Sequence, residues 1–259
     1  METWLRSFCI SVSTYSAIPM PQLGWDKKSM AYSFCFLPMV GVAIGLLEWG
    51  WLSLCWLLGF NLLFKSAVAA FIPLLVSGGI HMDGFCDTMD AFCARQGREK
   101  SLEIMKDSHS GAFAIIFCGA YLMLMLGVTS ETCGNVGVFC TAFVLSRAVS
   151  VPSVSGKLNA RGEGMLASLV TPLHVRTVKA WGWGWIVLCA VFMDICDVYA
   201  GTGALAAAVV TWFAYHAAVF SRFGGITGDT SGFFVQLLEL TILFGAALGQ
   251  GIEVLLYKF

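Results

Sequence analysis

One stretch concentrates chemistry: Gly78-Gly79-Ile80-His81-Met82-Asp83-Gly84-Phe85-Cys86-Asp87-Thr88-Met89-Asp90. It sets an imidazole and three carboxylates at the end of a long apolar run. Only 12% of the chain is charged, so the clustering calls for a chemical reason. On a helix, Asp83, Asp87 and Asp90 fall at i, i+4 and i+7, on one face. Three like charges there repel one another and weaken an isolated helix. A divalent cation is the simplest compensation. Mg²⁺ suits hard carboxylate oxygens, and it commonly takes one or two of them together with substrate phosphates and water.

Three other features belong with it. Arg95, Arg98, Lys100 and Lys106 follow the acidic run. A loop carrying Lys157 and Arg161 follows a helix that has Arg147 inside it. Gly224-Gly225-Ile226-Thr227-Gly228-Asp229 forms a glycine-rich segment ending in a carboxylate. Arg and Lys clamp phosphate oxygens, and glycines let backbone N–H groups approach a phosphate. Together these features spell metal-assisted transfer at a phosphate or pyrophosphate. Plainer roles compete: acids at a helix N-terminus complement its dipole, and Lys100, Arg176 and Lys179 follow from membrane topology. His216 is expected to be a packing histidine, His174 a loop residue, and Asp194 and Asp197 solvated. Glu239 stands well inside the last helix, where a buried acid is costly. Glu48 is expected to pair with Lys65.

The elements that position these groups follow from composition. The 259 residues are 58% hydrophobic, with a mean hydropathy of +0.79, against about 45–50% apolar and 25% charged in a soluble domain. The apolar runs are continuous, so the fold expected is an all-α polytopic membrane bundle forming a single domain over 1–259. Seven transmembrane helices are predicted, at 32–58, 62–80, 112–128, 136–153, 181–198, 204–220 and 232–256. Residues 1–30 form an interfacial segment with a short amphipathic helix. Pro38 is expected to bend the first span, and Gly41 and Gly45 to allow close helix packing. The ten cysteines contain no CxxC pair and read as small core residues. The N-terminus lacks the pattern of a signal peptide.

Charge tests the division. Arg6, Lys27 and Lys28, then Arg95, Arg98, Lys100 and Lys106, then Lys157, Arg161, Arg176 and Lys179, then Arg222 fall in segments on one side. Only Lys65 and Lys258 fall on the other. The positive-inside bias therefore sets the N-terminus and every polar loop in the cytoplasm.

These residues carry a resemblance. GGIHMDGFCDTMDAF with REKSLEIMKDSHSGAFA (98–114), RFGGITGDTSGFFVQLLEL (222–240), YSAIPMP (15–21) and the Ser146-Arg147 pair resemble the cobalamin synthase (adenosylcobinamide-GDP ribazoletransferase) family. The likeness spans nearly the whole chain, with one departure at Ala17, where the family often has a basic residue. The resemblance implies a transferase that joins adenosylcobinamide-GDP to α-ribazole, or its 5′-phosphate, and releases GMP. It implies Mg²⁺ and an active site on the cytoplasmic face of a bacterial or archaeal cell membrane. It also implies association with the lipid bilayer and other late cobalamin-assembly enzymes, and no nucleic acid. The catalytic residues it implies are His81, Asp83, Asp87, Asp90, Asp107 and Asp229. Asp83, Asp87, Asp90 and Asp229 are the expected metal ligands. Arg98, Lys106, Arg147, Arg161, Gly225 and Gly228 are the expected phosphate-binding residues. A CDP-alcohol phosphotransferase would also carry an Asp-rich motif, but the His-x-Asp-Gly order differs. A cation transporter would hold its acids at mid-membrane in both halves, whereas most here lie at one edge among basic residues.

Overall fold

The computed structural model describes residues 2–107, 109–156, 159–160, 169 and 171–258. Its described elements are helical. The chain runs α1 (Glu2–Tyr15), α2 (Lys27–Met30), a 3₁₀ turn (Ser33–Phe36), α3 (Leu37–Leu58), α4 (Leu62–Ser77), α5 (Ile80–Cys93) and α6 (Arg98–Ile104). It continues with α7 (Ala112–Thr132), α8 (Val136–Val154), α9 (Val175–Cys196), α10 (Val198–Phe223) and α11 (Gly228–Lys258).

Six of the described helices, counting the 3₁₀ turn with α3, are long and apolar enough to cross a membrane. A seventh span requires α4 and α5 to count together, although they meet at 94°. The bend has a local cause. Gly78 and Gly79 both take left-handed backbone, at φ +62° and +79°, where a side chain would strain the chain. The 16 residues of α4 span only about 24 Å, short of a hydrocarbon core of about 30 Å. The expected span over 62–80 is thus shorter than drawn, and the acidic run is a separate helix turned across its end.

Other expectations are adjusted in detail. Pro38 sits in the first turn of α3 and does not bend it, because a helix start needs no N–H there. Gly41 and Gly45 do make a close crossing. A Cβ at Gly41 would run into the Phe143 carbonyl of α8, and one at Gly45 would lie 2.9 Å from the Cys140 carbonyl. The N-terminal helix is no free surface element: Ser7 Oγ donates to the Ser29 carbonyl at 2.7 Å, and Trp4 packs in tilted and edge-on contacts among Tyr32, Phe36 and Trp181. Of the ten cysteines expected in the core, Cys9, Cys35, Cys55, Cys133 and Cys189 are buried; Cys86, Cys93, Cys118 and Cys140 are partly exposed, and Cys196 is exposed.

Helix α8 forms the centre, with nearly every residue from Thr141 to Val154 buried. Around it, α3, α9, α10 and α11 turn large apolar side chains outward. Trp56, Ile195, Val210 and Leu255 are all more than half exposed. In water that surface would be untenable for a monomer; facing lipid, it is what the composition demands. Helices α10 and α11 touch backbone to backbone at Gly203 and Gly245, where a Cβ on either would collide with the other's carbonyl. Gly203→Val should therefore destabilise the bundle by about 1–3 kcal/mol. Gly50→Val, at a position with no neighbour within 4 Å, should leave thermal unfolding in detergent unchanged.

Candidate active site

The site is built where α5 crosses the start of α11. Gly84 faces the backbone of Asp229, and a Cβ there would lie 2.6 Å from its carbonyl oxygen. Gly232 faces the backbone of His81 at 3.2 Å. The absence of side chains at these two glycines lets the helices touch, which brings Asp83 and Asp229 to one cavity. The first turn of α11 is pinned by a reciprocal pair: the Thr227 N–H donates to Thr230 Oγ1 at 2.8 Å, and the Thr230 N–H donates to Thr227 Oγ1 at 3.1 Å. This is capping-box logic with two hydroxyls. Before it, Gly224 ends α10 in left-handed backbone at φ +70°.

The cavity holds about 220 Å³ and is lined by Tyr15, His81, Asp83, Ser150, Gly228, Asp229 and Ser231, with an apolar remainder. Asp83 is exposed, whereas His81 is 5% exposed. The imidazole stacks on Tyr15, with centroids 6.2 Å apart and planes 19° apart. Its Nε2 is buried with no hydrogen-bond partner.

The other expected residues fall into three groups. Some gather beside the cavity. Arg98 lays its guanidinium against Gly224, where a Cβ would come 2.6 Å from Cζ. Thr227 Oγ1 contacts Met105 Sδ at 3.8 Å, so the EIMKD segment with exposed Lys106 and Asp107 packs on the glycine-rich loop. Gly225 is buried in that loop. At Asp107, the His109 N–H donates to Oδ1 at 3.0 Å and the His109 ring nitrogen lies 2.8 Å from the same oxygen. Together they hold its carboxyl below the usual carboxylate range. Asn159 and Ala160 pair with Ile226, the Ala160 N–H donating at 3.0 Å. Arg161 and Lys157 lie outside the described residues.

A second group has turned elsewhere. The Asp90 carboxylate accepts from the Gly111 N–H at 2.6 Å and the Ala114 N–H at 2.9 Å, so it caps α7. Asp87 lies between, half-buried. Among the described residues, no three His, Cys, Asp or Glu side chains form a group able to hold a metal. The four carboxylates expected as ligands therefore do not assemble as one cage; Asp83 and Asp229 share the cavity, and Asp90 does not.

The third group lies deeper. Arg147 is 1% exposed and donates to Glu239 Oε1, Ser146 Oγ and the Phe143 carbonyl. Tyr121 donates to Gln236 Oε1 at 2.6 Å and reaches Glu239 Oε2 at 3.5 Å. The expected phosphate anchor is thus the partner of an acid on α11. Glu48 is fully buried with neither carboxylate oxygen hydrogen-bonded, and no described ion pair joins it to Lys65. Burial is the reason: α3 turns Glu48 into the bundle against α8. His216 is the packing residue expected, its nitrogens 2.8 Å from the Trp212 carbonyl and 3.4 Å from that of Ser153.

Tyr15, Ser150 and Ser231 line the cavity without having been singled out. Tyr15 does stand in the YSAIPMP run, whose proline-rich end marks a fixed turn. Two consequences are measurable. Arg147→Met alone should cost about 3–5 kcal/mol by stranding Glu239, and Arg147→Met with Glu239→Met should recover most of it, read as thermal unfolding in detergent. Asp90→Ala should cost about 1–2 kcal/mol through the lost cap, seen as faster hydrogen exchange confined to the first turn of α7.

Comparison with known proteins meets this geometry. The family described as Cobalamin-5-phosphate synthase matches residues 7–247. An adenosylcobinamide-GDP ribazoletransferase of Lachnoclostridium phytofermentans is 35% identical over 250 residues, 96% of each chain. One of Pseudomonas entomophila is 34% identical, covering 93% of this chain and 98% of its own. One of Clostridium botulinum (strain Alaska E43 / Type E3) is 26% identical, covering 96% and 99%. No solved structure matches the chain. The matched span takes in the α5 acidic helix, the EIMKD segment and the loop that opens α11, and the chain belongs to the cobalamin-5-phosphate synthase family.

Proposed function

We propose that the protein joins adenosylcobinamide-GDP to α-ribazole, or its 5′-phosphate, and releases GMP. The observation that carries this is the meeting of the family's motifs at one cavity: Asp83 and His81 from α5, Asp229 from α11, and Arg98 beside the loop between α10 and α11. A ribazole hydroxyl attacks the phosphate attached to the cobinamide arm. A new P–O bond forms there, the pyrophosphate bridge breaks, the hydroxyl proton is released, and GMP leaves with the bridging oxygen.

The donor chemistry supports Mg²⁺. Asp83 and Asp229 present hard oxygens to one cavity, and Mg²⁺ habitually combines one or two carboxylates with substrate phosphates. Those two residues would hold it, with Asp87 one turn along α5 from Asp83. The bound ion supplies charge neutralisation for the pyrophosphate and the departing GMP. Arg98 and Lys106 carry positive charge to the same edge and offset the phosphate oxygens. The apolar outer surface supports a lipid setting, and the distribution of Lys and Arg supports a cell-membrane orientation with the N-terminus and this cavity towards the cytoplasm. The family match gives no support to a cation carrier or a CDP-alcohol phosphotransferase.

One assay tests these points. Sealed inside-out membrane vesicles given adenosylcobinamide-GDP, α-ribazole and Mg²⁺ should release GMP, and chelation should stop it. Right-side-out vesicles should not, because the substrates do not cross. Asp83→Asn should slow release by on the order of 10²-fold without a change in unfolding temperature. No release from well-inserted protein would sink the transferase assignment. Equal release from both vesicle types would sink the orientation, and full activity of the variant or after chelation would sink the metal assignment.

A further inference from the structure

We infer that the cavity between α1, α5 and α11 seats the base of the acceptor nucleoside, with Tyr15 and His81 as its recognition wall. This rests on the transferase function proposed above and assigns a subsite within it.

Size comes first. Whole small-molecule ligands occupy pockets of roughly 300–1,000 Å³. At about 220 Å³ this cavity takes one fused ring system, not a corrinoid. Polarity comes second. Phe34, Leu37, Val154, Leu169 and Val235 are each under 5% exposed, and they form an apolar interior. Asp83, in contrast, is exposed and lies towards water. A ring inserted among the apolar residues leaves its sugar on the side of the carboxylates.

The aromatic wall is third. Tyr15 and His81 are stacked, and flat heterocycles are recognised by such faces. Hydrogen-bonding capacity is fourth, and it separates the two bases in the reaction. The guanine of the donor presents N7 and O6 acceptors and an amino donor. Buried in this interior, most of those groups would lack partners, which is costly. The base of α-ribazole is a dimethyl-substituted benzimidazole: an apolar bicycle with a single ring nitrogen free once the other is glycosylated. The wall offers an imidazole nitrogen to match it. His81 Nε2 is buried with no partner, a state that native interiors rarely tolerate. With the base held there, the ribose hydroxyl lies towards Asp83 and Asp229, where the donor's phosphates are held. His81 and Tyr15 are then positioning and specificity residues for the acceptor.

The test uses full-length protein in nanodiscs, with α-ribazole binding measured by calorimetry without donor, and with KM measured separately for each substrate. Tyr15→Leu should weaken α-ribazole binding and raise its KM about tenfold, leaving the donor KM within about twofold. Val235→Trp, which fills the interior, should abolish α-ribazole binding while the donor still binds. Wild-type protein should prefer α-ribazole over the α-riboside of dimethylindole, which lacks the ring nitrogen, and His81→Phe should erase that preference. Unchanged α-ribazole affinity in folded Tyr15→Leu overturns the assignment. A rise confined to the donor KM also overturns it and gives the cavity to guanine. Both results would come from a wild-type enzyme that releases GMP, so they leave the transferase function standing. Absence of GMP release in wild type would remove the function itself.

Discussion

Two helix backbones touch at Gly84 and Gly232, and the cavity exists because of that contact. Ordinary helix pairs keep their axes 8–10 Å apart, separated by side chains. Here α5 rests directly on the first turns of α11, with the Asp229 carbonyl where a Cβ of residue 84 would be. Any side chain at that position would pry apart the segments that carry Asp83 and Asp229. The rest of the local fold serves the crossing. Gly78 and Gly79 turn α5 out of line with α4. Thr227 and Thr230 close the start of α11. The Arg98 side chain, Met105 and the Asn159–Ile226 bridge fasten the connecting loop from three directions.

Beneath the crossing lies a buried polar layer. Arg147 of α8, Glu239 and Gln236 of α11 and Tyr121 of α7 are joined by hydrogen bonds. Such a layer costs desolvation energy, so its contribution to net stability is small even when intact. The guanidinium finds its acid across two helices. This pairing ties the most buried helix to the helix that presents Asp229. Asp90 does related work at a lower cost, joining α5 to the N-terminus of α7 through two backbone N–H groups. A carboxylate that looks like part of a catalytic cluster therefore acts as a cap, and an arginine that looks like a phosphate anchor acts as a brace.

Much of the architecture was legible in the residues because a bilayer leaves few choices. Long apolar runs become helices, since each backbone polar group must find its partner within its own segment. The spans, the GxxxG contact, the helical phasing of Asp83, Asp87 and Asp90 and the packing role of His216 all follow from local pattern. So does the short amphipathic helix α6. The motifs also named the family, through residues that the structure brings beside one cavity. The division at Gly78-Gly79 was less legible, because hydropathy continues across it while the backbone turns.

What sequence alone determined, then, is composition, phasing and the identity of the polar groups. Those properties depend on near neighbours in the chain and on a solvent that is the same for every helix. Tertiary structure alone decided which of these groups meet. Asp83 and Asp90 sit on one face of one helix, yet the first faces the cavity with Asp229 and the second faces the amides of α7. Tyr15 joins His81 across 66 positions, and Arg147 finds Glu239 across 92. These pairings rest on helix crossings set by close glycine contacts and by the angle at one bend. No local periodicity encodes a crossing, because it is the joint outcome of side-chain volumes on two surfaces that come together only when the bundle has folded.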